Sequence, residues 1–266
     1  MKRILTLMLI VVLAFTMISC DSNVDNTTNE VTNEATNEAT NETTNEATNE
    51  TTNETTNETT NETTNETTEE ANAQPEYEFI PIDVTQLDDT NRPVVTIMLS
   101  DDQKIVFKMV PEVAPNTINS FITLANEGYY DGLIFHRIIK DFMIQGGDPE
   151  GTGAGGPGYT LKDEFYVIDE LTVTYLSHVR GIVSMAKTQA PNSAGSQFFI
   201  THGDSSSLDG QYSSFGYVVE GMDVVDALAT VETGVNDRPV EEVVITTISV
   251  ELNGYELTAP ETISVQ

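Results

Sequence analysis

Between residues 26 and 68 the chain cycles through Thr, Asn and Glu with scarcely an apolar side chain, and such a stretch cannot contribute to a packed core. The core must therefore come from the rest of the 266 residues, where the apolar side chains, 38% of the whole, are concentrated. The repeat is also acidic. Residues 21–72 hold 14 acids and no base, and residues 73–266 hold 29 acids and 9 bases, a net of -20 for that part alone. This balance argues against a nucleic-acid partner, because phosphate contacts need clustered Lys and Arg. The single Cys, at position 20, excludes an intramolecular disulfide and a multi-Cys zinc site. Three scattered His residues leave little for any other metal site, and no cofactor is expected.

At the N-terminus, Lys2 and Arg3 precede an apolar run from Ile4 to Ile18, short for a membrane span of about 20 residues and suited to a secretory signal. The run ends Met17-Ile18-Ser19-Cys20, which resembles the lipobox of bacterial lipoproteins. That resemblance implies lipidation of Cys20 and a lipid anchor on the outer side of the cytoplasmic membrane, or on the periplasmic side of an outer membrane. An ordinary cleaved signal with an incidental Cys is the alternative. Residues 21–75 then form a disordered acidic tether, since their four-residue period presents no apolar face that stacking could bury. Several Asn-Glu-Thr triplets match the N-glycosylation pattern; they are repeat chemistry in a bacterial lipoprotein and a glycosylated stalk in a eukaryotic secreted protein.

A lead-in over residues 76–92 precedes the ordered domain, which runs from residue 93 to 252, with a tail over 253–266. Val94–Leu99 and Ile105–Val110 are β-rich runs separated by Ser100-Asp101-Asp102, a hairpin pattern. Pro115 opens a stretch in which Ile118, Phe121, Ile122 and Ala125 recur at helical spacing, with Gly128 as its stop signal. Further strands are expected at Ile134–Ile138, Phe142–Gln145, Ile182–Ala186, Gln197–Thr201, Phe215–Val219 and Val243–Glu251, with a second helix at Met222–Ala229. About eight strands and only two helices argue for a mainly β fold, a closed eight-stranded antiparallel barrel capped by the helices. Residues 151–156 satisfy the G-x-G-x-x-G pattern, yet Pro157-Gly158 follows where a dinucleotide fold needs a helix N-terminus. A surface loop with tight backbone turns fits better.

The segments FHRIIKDFMIQGGDPEGTGAGGPGY (135–159), GIVSMAK (181–187), PNSAGSQFFIT (191–201) and LDGQYSSFGYVVEGMDVVD (208–226), in this order, resemble the cyclophilin family of peptidyl-prolyl cis-trans isomerases. The resemblance runs from about Pro93 to Leu252. It implies an eight-stranded barrel with two capping helices, an active-site groove on its outer side, and proline-containing polypeptides as partners of a monomer. The chemistry needs neither a covalent intermediate nor a metal. An X-Pro bond crosses a barrier of about 18–20 kcal/mol that comes from amide resonance, so a donor aimed at the prolyl nitrogen stabilises the twisted form over the planar one.

On the family pattern Arg137 is the catalytic donor, and its guanidinium stays charged and carries several directed N–H groups. Gln145 helps orient Arg137 or the substrate carbonyl. Phe142, Met143, Phe199 and Leu208 line the proline pocket, while Ala186 with Lys187 contacts the residue before the proline. Strand alternation turns Phe198 and Ile200 into the core and Gln197 and Phe199 toward the groove. His136 and His178 are structural, because isomerisation transfers no proton. Many family members carry Trp and His where this chain has Ser207 and Tyr212, which implies weak cyclosporin binding with proline recognition retained; Tyr212 still offers a hydroxyl and an apolar face. The run Lys187-Thr188-Gln189-Ala190 also departs from the family pattern. A foldase for exported proteins is the first reading, and a proline-segment binding or chaperone module without turnover is the alternative.

Overall fold

Periodicity and turn chemistry account for most of the secondary structure. The computed structural model describes residues 76–88 and 90–265. In chain order the strands are β1 (Glu78–Pro81), β2 (Val94–Leu99), β3 (Lys104–Met109), β4 (Arg137–Ile139), β5 (Met143–Gly146), β6 (Tyr159–Thr160), β7 (Val167–Asp169) and β8 (Thr172–Tyr175). They continue with β9 (Ile182–Met185), β10 (Phe198–Thr201), β11 (Ser214–Glu220), β12 (Ile245–Glu251) and β13 (Ile263–Ser264). Helix α1 (Pro115–Asn126) follows β3, and α2 (Met222–Leu228) follows β11. The β2–β3 turn passes through Asp102 at φ 65°, a left-handed position that Asp tolerates. The signal run, Cys20 and the tether lie outside the described residues.

The main sheet is antiparallel, in the order β12-β2-β3-β11-β9-β10-β5-β4. Its eight strands curl around the core, but the expected closed barrel is not formed. The two edge strands share no ladder. The segments just before them meet at one bridge, Ile134–Val244, flanked by bonds from Phe135 N to Val243 O (3.0 Å) and from Ile245 N to Leu133 O (2.7 Å). β4 is only three residues long, and the segment that reaches β12 precedes it, so the junction is a short clasp and the sheet stays open.

Helix α1 lays Ile118, Phe121 and Ile122 across one mouth of the curl, each at most 1% exposed. Phe121 stacks on Tyr130 at 4.9 Å and meets Phe198 and Phe215 at 5.5 and 5.4 Å. Pro115 occupies the start of the helix, and the preceding residue, Ala114, has no side chain to cap it. Glu164 takes over from a distant loop, accepting from the amides of Asn116 (3.0 Å) and Thr117 (2.7 Å), where a negative group suits the helix dipole.

Two small sheets lie outside the strands anticipated from sequence. β1, from the lead-in, pairs in parallel with β8, which pairs with β7. After β12 the chain follows α1, where Asn119 Oδ1 accepts from Tyr255 (3.0 Å) and Asn116 Oδ1 from the amide of Glu261 (2.7 Å). It ends as β13 paired with β6. These strands are two to four residues long, too short to leave a periodic signal.

Candidate active site

Antiparallel pairing turns opposed residues to the same face of a sheet. Arg137 on β4 pairs with Gln145 on β5, Gln145 pairs with Phe199 on β10, and Phe199 pairs with Ser184 on β9. The row one residue along is Ile138, Ile144, Ile200 and Val183, each at most 2% exposed and packed in the core. One row thus faces inward and builds the core, and the other faces outward and builds a site.

That outward face forms the floor of a cavity of about 730 Å³. Of the residues singled out from sequence, Arg137, Phe142, Met143, Gln145, Ala186, Phe199, Leu208 and Tyr212 all line it. Gln197 does not. It borders an adjoining cavity of about 630 Å³, together with Gln145, Ala186, Lys187 and the tail residue Val265. Gln145 donates to Gln197 Oε1 (2.9 Å) and Gln197 donates to Gly155 O (2.9 Å), so the two amides form the divide between the cavities. Opposite Arg137 on the same face of the sheet, Gln145 thus directs its amide N–H to Gln197. Ser207 is exposed and stands outside both linings.

Phe199 is held from behind. Its ring stacks on His178 at 5.9 Å and meets Tyr212 edge-on at 5.9 Å. The His178 ring is fixed in turn between Asp209 Oδ1 (2.7 Å) and Ser184 Oγ (2.9 Å). Lys187 Nζ lies 5.9 Å from the Tyr212 and Phe165 rings, within cation–π reach of both.

The glycine-rich segment is organised from within. Asp148 is fully buried, and its carboxylate accepts from the amides of Glu150 (2.8 Å), Thr152 (2.9 Å) and Gly153. A Cβ at Gly155 would collide with that carboxylate, which explains the glycine there. A phosphate cradle needs such amides free, and here a carboxylate of the same chain occupies them. Burial pushes the Asp148 carboxyl up, but the amides of Glu150, Gly153 and Gly155 and the neighbouring His136 hold it below its usual range.

The far wall was not legible in the sequence. A short 3-10 turn, Val235–Asp237, brings Val235, Asn236, Asp237 and Arg238 to the cavity, about a hundred positions from Arg137. Asn236 and Asp237 both have positive φ, 60° and 58°. Arg238 ties the turn down by donating to Gly151 O and pairing with Glu242 (3.1 Å). Asp237 Oδ2 lies 3.3 Å from Arg137 Nε. In the sequence, Gly234, Asn236 and Asp237 signal only a turn.

The chain is similar to known proteins over this domain. The model of the cyclophilin type peptidyl-prolyl cis-trans isomerase/CLD family matches residues 94–250. The peptidyl-prolyl cis-trans isomerase ppi1 of Schizosaccharomyces pombe is 48% identical over 139 residues, covering 52% of this chain and 86% of that protein. CYP18-1 of Arabidopsis thaliana, another peptidyl-prolyl cis-trans isomerase, is 43% identical over 139 residues, covering 52% and 84%. A solved cyclophilin type isomerase of Cryptosporidium parvum superposes with a TM-score of 0.54 at 34% identity, over 60% of this chain and 98% of that one. These matches place the chain among the peptidyl-prolyl isomerases. Specifically, the chain belongs to the cyclophilin-type family, and it is a peptidyl-prolyl cis-trans isomerase.

His136, 5% exposed at the cavity edge, has no hydrogen-bond partner on either ring nitrogen among the described residues. Burial lowers its pKa; Asp148 opposes that, and Arg238 and Arg137 add to it. Burial lowers that of His178 as well, against the pull of Asp209. A base depressed on folding binds fewer protons in the native state, so its stabilisation is present above the ordinary histidine value and is lost as pH falls through the native one. The melting temperature should therefore drop as pH falls below about 6.5, and His136→Leu should flatten part of that drop. Identical pH dependence of melting in both proteins between about pH 7 and pH 5 would contradict this.

Proposed function

We propose that this isomerase accelerates X-Pro isomerisation in polypeptides that fold after export, with Arg137 as the donor that stabilises the twisted amide. The observation that carries the reading is the shared row of Arg137, Gln145 and Phe199 on the outer face, with the apolar residues Phe142, Met143 and Leu208 around the same cavity. The proline ring sits against Phe199, Met143, Phe142 and Leu208. A related Cryptosporidium parvum cyclophilin, 35% identical with a TM-score of 0.53, was crystallised in the presence of the dipeptide Ala-Pro, which supports a prolyl ligand for such a cavity.

The Ala186 amide already donates to Gln197 O (2.9 Å), so its carbonyl is the group left to accept from the residue before the proline. As the C–N bond twists, the prolyl nitrogen becomes pyramidal and regains its lone pair. A guanidinium N–H aimed at that nitrogen stabilises the twisted state more than the planar one, without transferring a proton. A reduction of the barrier by about 7 kcal/mol corresponds to roughly 10⁵-fold acceleration. Cyclosporin binds weakly, because Ser207 supplies neither an apolar wall nor an indole donor.

The location is the cell envelope. It rests on the basic-then-apolar N-terminus ending in Ser19-Cys20, and on the two or more acyl chains that lipidation of Cys20 would provide for stable anchoring. Membrane fractionation of the expressed chain tests this: the wild type should sediment with membranes and Cys20→Ser should not. Equal partitioning of the two would rule the anchor out.

For the chemistry, Arg137→Ala in the full chain should lower kcat/KM on a short X-Pro peptide at least tenfold, about 1.4 kcal/mol or more, with the circular dichroism spectrum unchanged. A variant with wild-type kcat/KM would remove Arg137 from the mechanism.

A further inference from the structure

We infer that Asp237 is a positioning residue for the isomerisation, holding one edge of the Arg137 guanidinium so that the other faces the bound amide; the inference rests on Arg137 being the donor. Arg137 and Asp237 are 40% and 45% exposed, and the contact is made through Nε (3.3 Å). The guanidinium is a planar fork of five N–H groups. With Nε–H accepted by a carboxylate, the plane of the fork is set and the Nη groups remain for the cavity. A partner on the Nη edge would instead compete with substrate.

Among the described residues, the Arg137 side chain is hydrogen-bonded to Asp237 and to no residue of the sheet. Gln145, directly opposite Arg137, donates its amide N–H to Gln197, which donates to Gly155 O. Orientation therefore comes from across the cavity, and the turn that delivers it is built to stay in place. Gly234 N donates to Arg238 O (2.7 Å), Val240 N to Glu232 O (2.9 Å), and Thr233 and Pro239 form a bridge beneath the tip. Arg238 anchors the turn to Gly151 O and Glu242. Position 237 is at φ 58°, where glycine, Asn and Asp are the residues best tolerated, and of these only Asp brings a charge. A half-exposed ion pair contributes little to folding, so its consequence should appear in catalysis and leave thermal stability nearly unchanged.

The test compares wild type, Asp237→Gly, Asp237→Asn, Arg137→Ala and the Asp237→Gly/Arg137→Ala double variant, all as the full chain; glycine and Asn both suit the positive φ at this position. The readouts are peptide affinity, isomerisation rate, melting temperature and the Arg137 Nε–H resonance. Asp237→Gly should slow isomerisation about five- to tenfold, equivalent to about 1.0–1.4 kcal/mol. Peptide affinity should stay within about twofold, and the melting temperature within about 2 °C. The Arg137 Nε–H resonance should shift toward that of a free guanidinium, and Asp237→Asn, which keeps an acceptor oxygen and tolerates the positive φ, should recover part of the rate. In the Arg137→Ala background the Asp237 change should cost nothing further, the non-additivity expected of residues acting through one another.

Wild-type rates for Asp237→Gly beside a slow Arg137→Ala would overturn the inference while leaving Arg137 as donor. Equal losses in both backgrounds would overturn it too, because the effect would then not run through the guanidinium. Wild-type rates for Arg137→Ala alone would remove both claims, and this outcome is visible before Asp237 is considered.

Discussion

The strand register of β4, β5 and β10 governs both the core and the site. Ile138, Ile144 and Ile200 oppose one another on the inner face, and Arg137, Gln145 and Phe199 oppose one another on the outer face. A slip of one residue would drive the guanidinium into the apolar interior and turn isoleucines to water. Burying an unpaired guanidinium there would cost several kcal/mol, so the hydrophobic demand that sets the core also sets the side of the sheet on which the donor stands. Structure and catalysis are in this sense read from the same pairing.

Around that row, the loops supply what the sheet lacks. Asp148 gathers the amides of the glycine-rich segment and keeps its shape. Gly151, in the same segment, accepts from Arg238 and so ties the segment to the far wall. His178, Asp209 and Ser184 brace the face of Phe199 that lies away from the cavity. A reaction whose barrier is lost resonance needs a fixed pocket and a fixed donor more than it needs reactive groups, and these contacts all act to hold positions.

Much of this was legible in the sequence, and the exceptions have physical causes. The β2–β3 hairpin, α1 and the strands carrying Arg137, Met143 and Phe199 announce themselves by period and turn residues, because each buries one face in a common core. Eight of the residues singled out meet around one cavity: Arg137, Met143, Gln145 and Phe199 share a face of paired strands, and Phe142, Ala186, Leu208 and Tyr212 come from the turns and loops beside them. Closure of the sheet was not legible, because it depends on where a three-residue edge strand ends. Gln197 has the parity of Phe199, yet its long amide leans over to Gly155 and leaves the main cavity, a matter of rotamer and not of strand pattern. Asp237 has no periodic signature at all; only the folded turn brings it to Arg137. The lead-in and tail strands form on the strength of pairing with partners remote in sequence, which local propensity does not encode.

The central claim is that Arg137 binds the twisted amide more strongly than the planar one. Exchange NMR on a saturating X-Pro peptide measures the interconversion rate on the enzyme and the dissociation constant in the same sample, for wild type and Arg137→Ala. The account predicts that the on-enzyme rate falls at least tenfold, while the dissociation constant changes less than about threefold. A loss of affinity that matches the loss of rate, or an unchanged on-enzyme rate, would contradict it.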